Sequence, residues 1–134
     1  MKLKLQVLFL LLFCSSLYSS EIKRIILKKD EEKKILVKYD DIEKLFKFRW
    51  TLYVNNGLVI LHSYDRIVAQ NILYLRYKNS SFRQELKTRG ADNYVVPSFL
   101  VVFKEFKYKT NEAVFDLIIS DKKEQIELKY LKNG

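Results

Sequence analysis

The clearest alternation in the chain runs from Phe46 to Val54. Phe46, Phe48, Trp50, Leu52 and Val54 are separated by Lys47, Arg49, Thr51 and Tyr53. Period two over this length predicts a strand with one buried face, the face that carries Trp50. Asn55-Asn56-Gly57 follows, and then a second apolar run from Leu58 to Tyr64. Asn-Gly between two such runs predicts a hairpin, because both turn positions need φ above zero. A two-residue turn puts Val59 and Leu61 on the Trp50 face and leaves His62 and Tyr64 with Arg49 and Thr51 on the other. A three-residue loop would set His62 beside Trp50 instead. The two-residue turn is the expectation.

The rest of the pattern is also β. Ile22 to Leu27 and Lys34 to Tyr39 flank a charged turn and read as a hairpin. Asn71 to Tyr77, Phe99 to Tyr108, Ala113 to Ser120 and Glu124 to Leu131 read as further strands, rich in Ile, Val, Phe and Tyr. Leu100 to Phe103 is apolar on both faces, which predicts a central strand. Ile126, Leu128 and Tyr130 are expected to point inward, with Gln125, Glu127 and Lys129 outward. Asp40-Asp41-Ile42-Glu43 resembles a helix cap and predicts a single helical turn. Lys78 to Ser98 reads as one long connection, in which Phe82 and Leu86 stand four apart as on a short helix. Eight strands with tight connections predict an all-β fold, an antiparallel β-sandwich or a partly open barrel.

The first twenty residues change the compartment. Lys2 and Lys4 precede an apolar run from Leu5 to Phe13, and Cys14, Ser15 and Ser16 are small. That order describes a secretory signal peptide over residues 1–19, cut between 16 and 20. The run is shorter than the roughly 20 residues of a membrane span. Phe13 stands where a lipoprotein cut requires a small residue, so a free product is favoured over lipid anchoring through Cys14. About 114 residues then form one all-β domain over 20–134, able to bury roughly 65% of its unfolded surface. Cys14 is the only cysteine, so the exported domain depends on its apolar core rather than on disulfides or a cysteine-ligated zinc.

Charge is uneven. The chain carries 25 basic and 16 acidic residues, net +9. Residues 21–43 balance at seven of each, whereas residues 44–109 hold twelve basic against four acidic. A basic middle suits an anionic partner. Export argues against nucleic acid and towards an envelope protein or an anionic envelope polymer. Arg49, Tyr64, Arg83, Lys87 and Arg89 are the expected partner-binding residues. Tyr53, Tyr74, Tyr77 and Tyr94 lie in the same stretch, and aromatics among cations make contact surfaces. A solvated, lysine-rich surface would produce the same composition with no partner.

Catalytic signals are weak. His62 is the only histidine, and Ser63, adjacent in a strand, points to the other face. No G-x-S-x-G elbow, P-loop, H-E-x-x-H or calcium-loop pattern occurs, so no cofactor or metal is expected. Asp40, Asp41 and Glu43 cluster as a two-carboxylate hydrolase would require, but also as a turn would. Asp116 interrupts an apolar run and is expected to pair with a lysine or arginine, or to face outward. The expectation is therefore an exported, non-enzymatic binding or structural part of the cell envelope. A small carboxylate-based hydrolase or carbohydrate-active enzyme, and an anion-binding module for lipid headgroups or wall polymer, are the alternatives.

Overall fold

A computed structural model describes residues 21–87, 96–119 and 126–132. The proposed signal peptide therefore lies outside the described residues. The described residues form nine strands: β1 (Glu21–Lys28), β2 (Lys33–Tyr39), β3 (Ile42–Val54), β4 (Gly57–Tyr64), β5 (Ile67–Tyr74), β6 (Ser81–Glu85), β7 (Ser98–Lys107), β8 (Glu112–Ile119) and β9 (Glu127–Tyr130). They form two antiparallel sheets, ordered β1-β8-β7-β6 and β5-β4-β3-β2-β9, packed as a sandwich. No helix occurs among the described residues.

The chain makes two meanders, β2 to β5 in one sheet and β6 to β8 in the other. β1 then pairs with β8 and β9 with β2, so each terminal strand closes a sheet begun far away in sequence. β7 is central, as its two apolar faces require. Ile126, Leu128 and Tyr130 pack on the core, while Glu127 and Lys129 are exposed.

Tight turns hold the five-stranded sheet together. Asp40-Asp41 (φ 49° and 60°), Asn55-Asn56 (52° and 65°) and Asp65-Arg66 (50° and 69°) each join two strands with both residues left-handed. That is the type I′ requirement, and its twist matches the flanking strands. The helical turn expected at Asp40 to Glu43 is thus a hairpin. Gly57 has no positive φ and lies in β4 rather than in the turn. Its role is space, because a Cβ there would stand 2.9 Å from Tyr74 Cε1 and 3.1 Å from Ile72 Cγ2.

The β3–β4 register overturns the expected faces. Leu52 opposes Val59, but Trp50 opposes Ile60, so Thr51 is an extra residue. This bulge inverts the alternation on either side of itself. Phe46, Phe48 and Trp50 point inward together with Leu58, Ile60 and His62. Leu52 and Val54, expected inside, are exposed, and Tyr53 turns in against the core. β7 carries a matching irregularity between Phe103 and Glu105, which lets both Phe103 and Phe106 face inward.

The core is an aromatic seam between β3 and the β7–β8 pair. Phe46 meets Phe99 edge-on at 4.9 Å, Phe48 meets Phe115 at 5.3 Å, and Trp50 meets Phe106 at 5.6 Å. Such contacts add about 0.5–1.5 kcal/mol each beyond burial. Trp50 is 1% exposed, and its Nε1 donates to the Leu27 carbonyl at 2.8 Å. Asp116 opposes Arg24 across β1 and β8, and Arg24 Nε donates to Asp116 Oδ1 at 3.1 Å. Asp116 alternates with the core residues Phe115 and Leu117, so it faces outward and pairs there with Arg24, and both expected readings hold together.

Candidate functional site

A concavity opens at the end of the sandwich marked by the Asp65-Arg66 turn. Its volume is about 460 Å³. One wall comes from the five-stranded sheet, with Lys44 of β3, Tyr64 of β4 and Ile67 and Ala69 of β5. The other comes from edge strand β6 and the residues after it, Arg83 through Lys87. β6 lies inside the stretch expected to be a long loop, and Phe82, expected on a short helix, is a buried strand residue.

Backbone and side-chain bonds fix the two walls together. Leu86 is buried, its N–H donates to the Pro97 carbonyl at 2.9 Å, and its own carbonyl accepts from Tyr64 Oη at 3.3 Å. Tyr64 therefore ties the end of β4 to the chain leaving β6. Its burial, helped by Asp65, raises the phenol above its ordinary range, so it stays protonated and can donate. Arg83 Nη1 donates to Ser98 Oγ at 2.9 Å, which anchors one arm of its planar fork and keeps the remaining N–H groups. Lys44 Nζ lies 3.2 Å from Asp65 Oδ2 and 5.7 Å from the centre of the Tyr64 ring.

His62 borders the cleft from within. It is buried on the core face and stacks on Phe82 at 4.1 Å and 14°. Asn71 Nδ2 stands 2.6 Å from His62 Nε2. With the imidazole neutral, Nε2 accepts from the Asn71 amide. Burial lowers the pKa of His62, which favours that neutral form.

Of the expected site residues, Tyr64, Arg83 and Lys87 share this cleft. Arg49 does not. It lies on the outer face of the same sheet, opposite Leu61, in a shallower depression of about 170 Å³ with Lys47, Ser63 and Val68. The Thr51 bulge separates Arg49 from Tyr64, which an unbroken ladder would have kept on one face. Arg89 and Tyr94 lie outside the described residues. Lys44 and Asp65 were not expected in the site. Their signal was the Asp65-Arg66 turn, a polar pair between two apolar runs, which folds the end of β4 beside β3.

The exposed pair Asp40 and Asp41 sits at a hairpin tip and does not line the cleft. Among the described residues, no group of three His, Cys, Asp or Glu side chains is placed to hold a metal ion. No described helix is long and apolar enough to cross a membrane. Comparison with protein-family models, curated proteins and solved structures returned no significant match.

Proposed function

We propose that the chain is an exported, non-enzymatic binding domain of the cell envelope, and that its cleft receives an anionic group of an envelope partner. The observation that carries this reading is the convergence of Lys44, Arg83 and Lys87 on one cavity, where they outnumber the carboxylates Asp65 and Glu85. A volume of about 460 Å³ falls within the range usual for ligand clefts. Arg83 suits a planar phosphate or carboxylate, since a guanidinium bonds both oxygens of such a group at once.

Several arrangements favour binding over hydrolysis. His62 Nε2 is engaged by Asn71, and Ser63 faces the opposite side of the sheet. Asp65 is neutralised by Lys44. Export rests on residues 1–20, and amino-terminal sequencing of the native protein is expected to find processing between Ser16 and Ser20.

Titration calorimetry tests the cleft directly, with a phosphodiester-linked wall polymer and with anionic phospholipid vesicles as the two probes. Binding of one of them is expected to weaken as salt rises, because exposed charges are screened over about 8–10 Å. Arg83→Ala removes a charge-assisted bond of about 1.5 kcal/mol, roughly tenfold in Kd. Binding that ignores both salt and an Arg83→Ala/Lys87→Ala double variant would overturn the assignment of the cleft.

A further inference from the structure

Among the described residues the sandwich has four edge strands, and three of them are protected against pairing with another chain. β1 carries Glu21, Lys23, Arg24 and Lys28. β6 and β9 are short and hold Arg83 and Glu85, and Glu127 and Lys129, respectively. Charge and shortness are the ordinary means of blunting an edge. β5 has neither. Its eight residues, Ile67 to Tyr74, include no charge, no proline and no glycine, and its ladder with β4 runs without a register shift. Ile67 is 75% exposed and Val68 71%.

The free groups on this edge form a regular series. The tight Asp65-Arg66 turn makes Tyr64 and Ile67 a hydrogen-bonded pair, and bonded pairs then alternate along the ladder. Ile67, Ala69, Asn71 and Leu73 spend their main-chain groups on β4. Val68, Gln70, Ile72 and Tyr74 point theirs away from it. The bond from Tyr74 N–H to the Asn79 carbonyl, at 3.2 Å, agrees with this direction and closes the series at its far end. Val68, Gln70 and Ile72 also share the outer face of the sheet, where Val59 opposes Ile72 and Leu52 opposes Val59.

We infer that β5 pairs with β5 of a second copy of this chain, antiparallel about a two-fold axis at Gln70, to form one continuous sheet across the dimer. In this register Val68 opposes Ile72 on both sides of the axis and Gln70 opposes its own counterpart. Each of these pairs joins residues whose main-chain groups point outward, so each exchanges both of its hydrogen bonds. The axis requires residue i to meet j and j to meet i, and this spacing satisfies that condition. On the outer face, the apolar row Leu52, Val59, Ile72 continues into Val68 of the second copy. No charge within the strand opposes its twin.

The joint borders the cleft, which Ile67 and Ala69 of β5 line, but it uses none of the cleft's cations, and salt separates the two. The chain is strongly basic, so screening should strengthen self-association while it weakens anion binding. Sedimentation of the purified protein over roughly a hundredfold range of concentration should show a concentration-dependent dimer. Val68→Lys sets a charge against the apolar Ile72 of the second copy. Gln70→Pro removes a donor that β4 does not use, a substitution an edge strand tolerates. Both variants should sediment as monomers while keeping the far-ultraviolet spectrum of the wild type. In the unmodified protein, amide exchange at Val68, Gln70 and Ile72 should slow as concentration rises, whereas Ala69 and Asn71 stay protected throughout. A wild type that remains monomeric at every concentration would overturn the proposal. So would folded variants that still dimerise, a dimer whose amides at these three positions exchange freely, or a monomer that pairs this edge only with a strand of another protein.

Discussion

Trp50 combines the two ways a single side chain holds this fold. Its ring fills the seam against Phe106, and its N–H satisfies the buried carbonyl of Leu27 in the opposite sheet. Trp50→Ala is expected to cost about 3–5 kcal/mol in urea unfolding, the range for large core truncations. Near-wild-type stability would contradict that role. His62 makes a prediction with a sign. The folded protein holds its imidazole neutral, whereas the unfolded chain takes up a proton below about 6.5. The unfolded state therefore binds more protons in the window below 6.5, and stability must rise with pH across it. The contribution is complete above 6.5 and is lost as pH falls. Urea midpoints measured across this window should show the rise in the wild type and lose it in His62→Phe. The burial of Trp50 was legible from alternation alone. That of His62 was not, because its face depends on one unpaired residue, Thr51, whose identity carries no bulge signal.

At the scale of elements, strands were legible wherever period two persisted, and boundaries failed where turns were misread. Asp40-Asp41 had the composition of a cap, and only pairing with a neighbouring strand decides between cap and turn. β6 is five residues long with a single buried apolar side chain, Phe82, too little to display a period. The two bulges have a common purpose that neither strand shows by itself. Trp50 and Tyr53, like Phe103 and Phe106, stand three apart yet all point inward. Tyr53 stacks on Phe106 at 4.0 Å, and Phe106 meets Trp50 edge-on. One bulge without the other would turn an aromatic out to water. The turns give the sharper test. Arg66 holds a φ of 69°, a conformation that costs a residue with a Cβ about 1–2 kcal/mol and glycine almost nothing. Arg66→Gly is thus expected to raise the thermal midpoint, as is Asp41→Gly, which also removes one of two adjacent carboxylates. A helical cap at Asp41 would respond in the opposite sense, since glycine disfavours helix.

At the scale of the whole molecule, topology sets the order of assembly. β2 to β5 form by successive tight turns, each closing a short loop. β1 and β9 must instead find partners across most of the chain: Ile25 pairs with Phe115, and Val37 with Leu128. Closing such long loops costs chain entropy before any contact repays it. The meander should therefore be structured in the folding transition state, and the terminal strands should dock after it. Ile60 and Ile25 report on the two stages, because both are buried and lie in different sheets. Ile→Val at either site should destabilise by about 0.5–1.5 kcal/mol, enough to apportion between rates when it exceeds about 0.6 kcal/mol. Ile60→Val should act mainly by slowing folding, and Ile25→Val mainly by speeding unfolding, in stopped-flow chevron measurements. The reverse partition would mean that β1 and β8 meet first, and that the long-range pairing nucleates this sandwich rather than sealing it.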